Sequence, residues 1–264
     1  MNGKYGRKPL QRHNKPEPEA RTASYVIGRN AVSELLKSGR DIDKIYIKKG
    51  ERTGSVTVIA AEAIKRGIPV IDAENSKLDF MACGQPHQGV VASAAVKDYA
   101  TVDDMLKLAE DRGEKPLIVI ADGIEDPQNL GALIRAAECA GAHGIIIPKR
   151  RAVGLTDTVG KASAGAVEYV PVAKVTNLAQ MVDELKEKGL WIFAAEAGGT
   201  PFYKTDMSCP AVIILGSEGF GVSRLLKDKS DFIISIPMYG KINSLNVSAA
   251  GAVVLNEAAR QRHS

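Results

Sequence analysis

VIILGSEGFGVSRLLKDKSDFIISIPMYGKINSLNVSAAGAVVLNEAARQ, residues Val212–Gln261, is the stretch that decides how this chain folds. Two largely apolar runs, Val212–Leu215 and Phe232–Ile236, each end in a turn. The first breaks at Gly216 into a glycine-rich loop with one acid, Glu218. The second breaks at Pro237 into Met238-Tyr239-Gly240. Short unbroken apolar runs read as strands buried on both faces, the pattern of a parallel sheet. Turns at the carboxyl ends of such strands form the ligand crevice of open α/β sheets. Ser244, Leu245 and Asn246 then lead into a long helix rich in small residues, predicted over Asn246–Arg260.

The crevice does not read as a dinucleotide site. Gly216, Gly219 and Gly221 are spaced G-x-x-G-x-G, not G-x-G-x-x-G, and Ile236, Pro237 and Met238 stand where an acid should hold a ribose. On pattern alone, glycines that merely let strands turn tightly remain an alternative.

Upstream, strand and helix patterns alternate back to Pro116. Strands are predicted at Pro116–Ala121, Gly144–Ile147, Val167–Val172 and Trp191–Ala195, with helices at Thr176–Lys188 and Gly221–Lys227. Between the first two strands Asn129 reads as the cap of a helix whose buried stripe is Leu130, Leu133, Ile134, Ala137 and Gly141. At 100° per residue, Arg135 falls roughly 140° from the centre of that stripe, off the core face. Lys149-Arg150-Arg151 follows a strand end, and Lys161, Ser163 and Ala164 suit the substrate side of a crevice.

Residues 24–97 read as a separate small α/β unit. Helices are predicted at Asn30–Lys37, at Asn75–Cys83 and from Ser55, as cap, to Arg66; strands are predicted at Ile42–Ile47, Ile68–Ile71 and Gly89–Val96. Its loops hold Gly28-Arg29-Asn30, a helix start able to receive a phosphate, and Gln85-Pro86-His87-Gln88-Gly89. Residues 98–114 are charged and read as a linker with a helix at Val102–Glu110; residues 115–264 form the larger unit.

The 264 residues are 45% hydrophobic and 25% charged, the balance of a soluble globular protein. No apolar run is long enough to cross a bilayer, and the basic N-terminus lacks the apolar centre of a signal peptide, so a cytoplasmic location is expected. Cys83, Cys139 and Cys209 are odd in number and lack metal-ligand spacing, which reads as reduced structural thiols and no metal. The net charge of +4 sits in residues 1–23, where Lys4, Arg7, Lys8, Arg12, Lys15 and Arg21 face only Glu17 and Glu19. A Pro-rich basic arm on a neutral body suggests contact with nucleic-acid phosphates, or else a solubilising tail.

DPQNLGALIRAAE (Asp126–Glu138) resembles the first motif of the SpoU/TrmH family of RNA 2′-O-ribose methyltransferases, and LGSEGFG, IPMYG and SLNVSAA resemble its second and third, all in the family's order. IGRNAV and HQGVVA resemble the substrate-binding domain that precedes them in that family. The resemblance implies an α/β fold whose C-terminal domain is an α/β trefoil knot, and S-adenosyl-L-methionine as cofactor. It implies Asn129, Arg135, Glu218, Ser244 and Asn246 as catalytic positions, with Arg135 activating the 2′-hydroxyl. Leu215, Gly216, Ile236, Met238 and Leu245 would clasp the cofactor. Arg29, Asn30, His87, Lys149 and Arg150 would contact RNA.

A homodimer through the C-terminal domain is also implied, although the run Ala249–Ala252 equally suits close packing within one chain. Within the family the two-domain layout is most similar to enzymes that methylate a guanosine of large-subunit (23S) ribosomal RNA. The alternatives are a transfer RNA or antibiotic-resistance methyltransferase, and a non-catalytic RNA-binding protein on the same scaffold.

Overall fold

The computed structural model describes residues 25–50, 54–95 and 97–263; the basic arm lies outside them. Strands Tyr25–Ile27 (β1), Ile42–Lys48 (β2), Val70–Ala73 (β3) and Val90–Ala94 (β4) form a sheet of order β1-β4-β2-β3. Only β2 and β3 run parallel. Helices Arg29–Ser38 (α1) and Ser55–Lys65 (α2) cover one face with Val32, Leu35, Leu36, Val56 and Ile59. Asn75–Ala82 (α3) covers the other with Leu78 and Met81. The sequence patterns anticipate three of these strands. The three-residue β1 is too short to show a period. Ser55 is not a cap: it is the first helical residue, and Gly54 precedes it at φ 59°.

The helix Val102–Asp111 (α4) carries a capping box between Thr101 and Asp104. It leads into six parallel strands: Leu117–Asp122 (β5), Gly144–Pro148 (β6), Val172–Val175 (β7), Trp191–Pro201 (β8), Ala211–Gly216 (β9) and Phe232–Ser235 (β10). Their order is β10-β8-β9-β5-β6-β7. Period-2 alternation divides each strand between two cores. Val119, Ile145, Ile147, Ile213 and Leu215 meet helices Pro127–Cys139 (α5), Asp157–Ala162 (α6) and Val247–Arg262 (α9). Ile118, Ile120, Ile146, Val212 and Ile214 meet α4, Leu178–Glu187 (α7) and Arg224–Lys229 (α8).

The strand expected from Val167 begins instead at Val172. Val167 lies in a short 3₁₀ turn, where it fills the core beneath α5, and Pro171 precedes the ladder. Among the described residues no helix is long and apolar enough to cross a membrane. The three cysteines are free, and Cys83 and Cys139 are exposed, so neither of these two is a core residue.

The small sheet docks beside β6 and β7. Lys174 on β7 pairs with Asp43 on β2 at 2.7 Å; the Asp43 side chain is buried and that of Lys174 is largely covered. Tyr99 O–H donates to the same carboxylate and accepts from Leu155 N at 2.9 Å. Burial and the adjacent Asp43 push the Tyr99 phenol well above its ordinary value, which keeps it a donor. Lys44 Nζ donates to the Ala152 carbonyl at 2.7 Å. Gly154 leaves room for Asp43, since a Cβ there would lie 2.1 Å from Oδ1.

Candidate active site

With every strand of the large sheet parallel, the exit loops of β5, β9 and β10 open at one edge. The glycine-rich loop after β9 is compressed: a Cβ on Gly216 would lie 2.0 Å from the Gly221 backbone, so only glycine fits. Two acids from neighbouring strand ends hold the far side of this loop. Asp122 accepts from Ser223 N at 2.8 Å, and Glu196 accepts from Val222 N at 3.0 Å. The sequence reading passes over both. Neither sits in a recognisable pattern, and only the strand order makes them neighbours.

Three side chains from distant parts of the chain meet here. Asn129 Nδ2 donates to Glu218 Oε1 at 3.1 Å. Asn246 Nδ2 donates to the same oxygen at 2.6 Å and to Asn129 Oδ1 at 2.8 Å. Asn129 is free to do this because it does not cap α5. Asp126 is the cap, accepting from Asn129 N at 2.9 Å, and this aims the first helical turn at the crevice. Asn246 caps α9 through Oδ1 and joins the cluster through Nδ2. A pocket of about 310 Å³ opens against this group, lined by Gly123, Ile124, Asp126, Asn129, Glu218 and Val247.

Arg135 is exposed, as its helical phase requires, and makes no hydrogen bond or ion pair among the described residues. It lies six residues beyond Asn129, about 9 Å along the helix axis and turned by about 120°. Asn129 and Glu218 therefore orient each other and Asn246, and not Arg135. Ser244 is exposed and also stands outside the cluster.

Leu215 is buried under the crevice, whereas Met238 and Leu245 are exposed on its rim beside Ile236. The peptide groups of residues 238–245 make no hydrogen bond among the described residues. Unpaired backbone donors and acceptors among apolar side chains suit a heteroaromatic ring recognised without polar side chains.

Elsewhere the expected contacts divide. At the start of α1 the first amide is engaged within the chain, Arg29 N donating to Gln88 Oε1 at 3.1 Å. Arg29 Nε donates to the Gln88 carbonyl at 2.9 Å, and Asn30 is exposed. His87 is buried. Its Nδ1 accepts from Gly89 N and its Nε2 donates to Asp79, both at 3.0 Å, so the ring braces its own turn and offers RNA nothing. Lys149 is half-buried and Arg150 exposed. Ser163 is fully buried and donates to the Gly160 carbonyl, so it belongs to the core and not to the crevice.

Residues 116–256 match the profile of the SpoU rRNA Methylase family, and residues 25–100 match that of RNA 2′-O ribose methyltransferase substrate binding. A relative named for the TrmH family of tRNA/rRNA methyltransferases, YacO of Bacillus subtilis (strain 168), is 48% identical over 240 residues, 90% of this chain and 96% of its own. The chain belongs to the SpoU/TrmH family. It is an RNA 2′-O-ribose methyltransferase, and the family's methyl donor is S-adenosylmethionine.

Among solved SpoU structures, AviRb from Streptomyces viridochromogenes in complex with AdoMet superposes with TM-score 0.58 at 22% identity, over 91% of each chain. The A. aeolicus TrmH/SpoU tRNA modifying enzyme reaches 0.52 at 31% identity, over 61% of this chain and 83% of that one.

Proposed function

We propose that this SpoU methyltransferase methylates the 2′-hydroxyl of a guanosine in large-subunit ribosomal RNA. The convergence of Asn129, Glu218 and Asn246 on one pocket carries the site assignment. Leu215, Gly216, Ile236, Met238 and Leu245 hold the cofactor, whose sulfonium supplies a methyl group already activated for transfer without a metal. Asn129, Glu218 and Asn246 position the reacting ribose. Arg135, permanently charged and unpaired among the described residues, grips the adjacent phosphate and stabilises the alkoxide as the hydroxyl proton passes to solvent water. Ser244 borders the site from the rim loop.

Arg29, Asn30, Lys149 and Arg150 contact the RNA chain, and His87 serves by holding its loop in shape. Exposed Phe220, Tyr239 and Ile242 beside the crevice support a homodimer through the large domain, acting in the cytoplasm. The ribosomal target is supported by a substrate-binding domain joined to an rRNA methylase domain in one chain. A transfer RNA target is the second reading, favoured by the 31% identity to the A. aeolicus enzyme.

The test is Arg135→Ala. Cofactor affinity by calorimetry is expected to stay near that of the wild type, while single-turnover methyl transfer falls by about 100-fold or more, the scale of losing one transition-state partner. Equal losses in both measurements overturn the role of Arg135. Mapping ribose methylation in RNA from a deletion strain tests the target.

A further inference from the structure

The two sheets meet around a second cleft, of about 300 Å³, separate from the pocket at Asn129. Its walls carry cations from both sides: Arg40 and Arg66 from the small domain, Lys149 and Lys174 from the large one. The acids nearby are already engaged. Glu62 pairs with Arg66 at 2.6 Å, Asp43 pairs with Lys174 at 2.7 Å, and Asp41 accepts from Tyr99 N at 2.8 Å. Arg40 donates to the Ala95 carbonyl at 3.3 Å. Lys149 is half-buried against Gly67, and its ammonium has no hydrogen bond or ion pair among the described residues. Of the four cations lining the cleft, Lys149 alone has neither a carboxylate nor a carbonyl partner among the described residues, which leaves one ammonium to meet one phosphodiester.

Position adds a second reason. Lys149 directly follows β6, so the cleft opens at the same carboxyl edge as Glu218 after β9. In the sheet β9, β5 and β6 are successive neighbours. At about 4.8 Å per strand, the strand ends that carry Lys149 and Glu218 lie on the order of 10 Å apart along the edge. A compact, strongly hydrated ammonium loses water on entering such a cleft, and a phosphate oxygen restores the missing partner as a charge-assisted bond.

We propose that this junction cleft seats one phosphodiester of the RNA whose ribose occupies the pocket at Asn129. The proposal rests on the RNA methyltransferase reading above and deepens it. Neither domain supplies the seat alone, so it exists only while Asp43 and Lys174 hold the two sheets together. Recognition there is of backbone charge and carries no base preference.

RNA affinity of the full-length protein, measured against salt, tests this. Lys149→Ala is expected to make the log–log slope shallower by about 0.7 to 0.9, the release expected for one phosphate, while Lys149→Arg keeps the slope. Arg40→Ala, on the opposite wall, is expected to make it shallower too, although it lies in the other domain. Parallel salt lines for wild type and Lys149→Ala overturn the seat. So does calorimetry showing saturable binding of inorganic phosphate at the cleft with the RNA slopes unchanged, which marks a free-anion site. A wild-type protein that methylates no RNA overturns the underlying reading instead, and that result needs no variant to be seen.

Discussion

Asn246 does two things with one amide. Its oxygen accepts from Ser248 N at 3.0 Å to cap α9, and its nitrogen ties Glu218 to Asn129. The two roles separate by substitution. Asn246→Ala removes both and is expected to cost about 1 kcal/mol of stability, the usual value of a cap, along with most activity. Asn246→Asp keeps the capping oxygen but sets a second carboxylate against Glu218. Stability to urea should change little there, while single-turnover methyl transfer falls as far as in the alanine variant. Equal destabilisation of both variants would mean that the amide nitrogen matters to the fold and not to the site. The family resemblance marks Asn246 as a motif position; it does not show the double bonding.

At the scale of elements, α5 is what aims Asn129, and α5 is seated by contact with α6. A Cβ on Gly131 would lie 2.4 Å from the Ala162 Cβ and 2.8 Å from the Val159 carbonyl. Both neighbours are helix backbone or sit directly on it, so Gly131→Ala should overpack the contact and cost about 1 to 3 kcal/mol in urea unfolding. A variant as stable as the wild type would show that α6 yields freely. The short α6 has no clear period in the sequence, which is why no helix is predicted there and Ser163 reads as a crevice residue. The small residues of α9 tell a similar story. Gly251 is buried against Leu133 and Leu215 of its own chain, as one of the two sequence readings allows.

Across the whole molecule the domain junction rests on Asp43 and Lys174, two charges withdrawn from water. Breaking a buried pair strands the remaining charge, whereas removing both leaves a neutral, similarly shaped contact. Asp43→Asn and Lys174→Met are each expected to lose about 3 to 5 kcal/mol, and the double variant markedly less than the two losses summed. A denaturation cycle with strictly additive losses would show that the two charges do not depend on each other. The pair is invisible in the sequence, where 131 residues separate its members.

Apolar strand runs, helix periods and turn residues are local properties, and from them alone follow the parallel sheet, the small preceding domain and the crevice at Gly216 and Pro237. The resemblance to the family's motifs also points to Asn129, Glu218 and Asn246, because those motifs are written along the chain. Tertiary structure decided what those residues touch. It made Asp126 the helix cap and so released Asn129. It set Arg135 down the helix, away from the cluster, and committed His87 to its own turn. It also recruited Asp122 and Glu196, which no motif contains. The physical reason is that a side chain's partner depends on strand order and domain docking, which arise from the burial of apolar surface distributed over the whole chain.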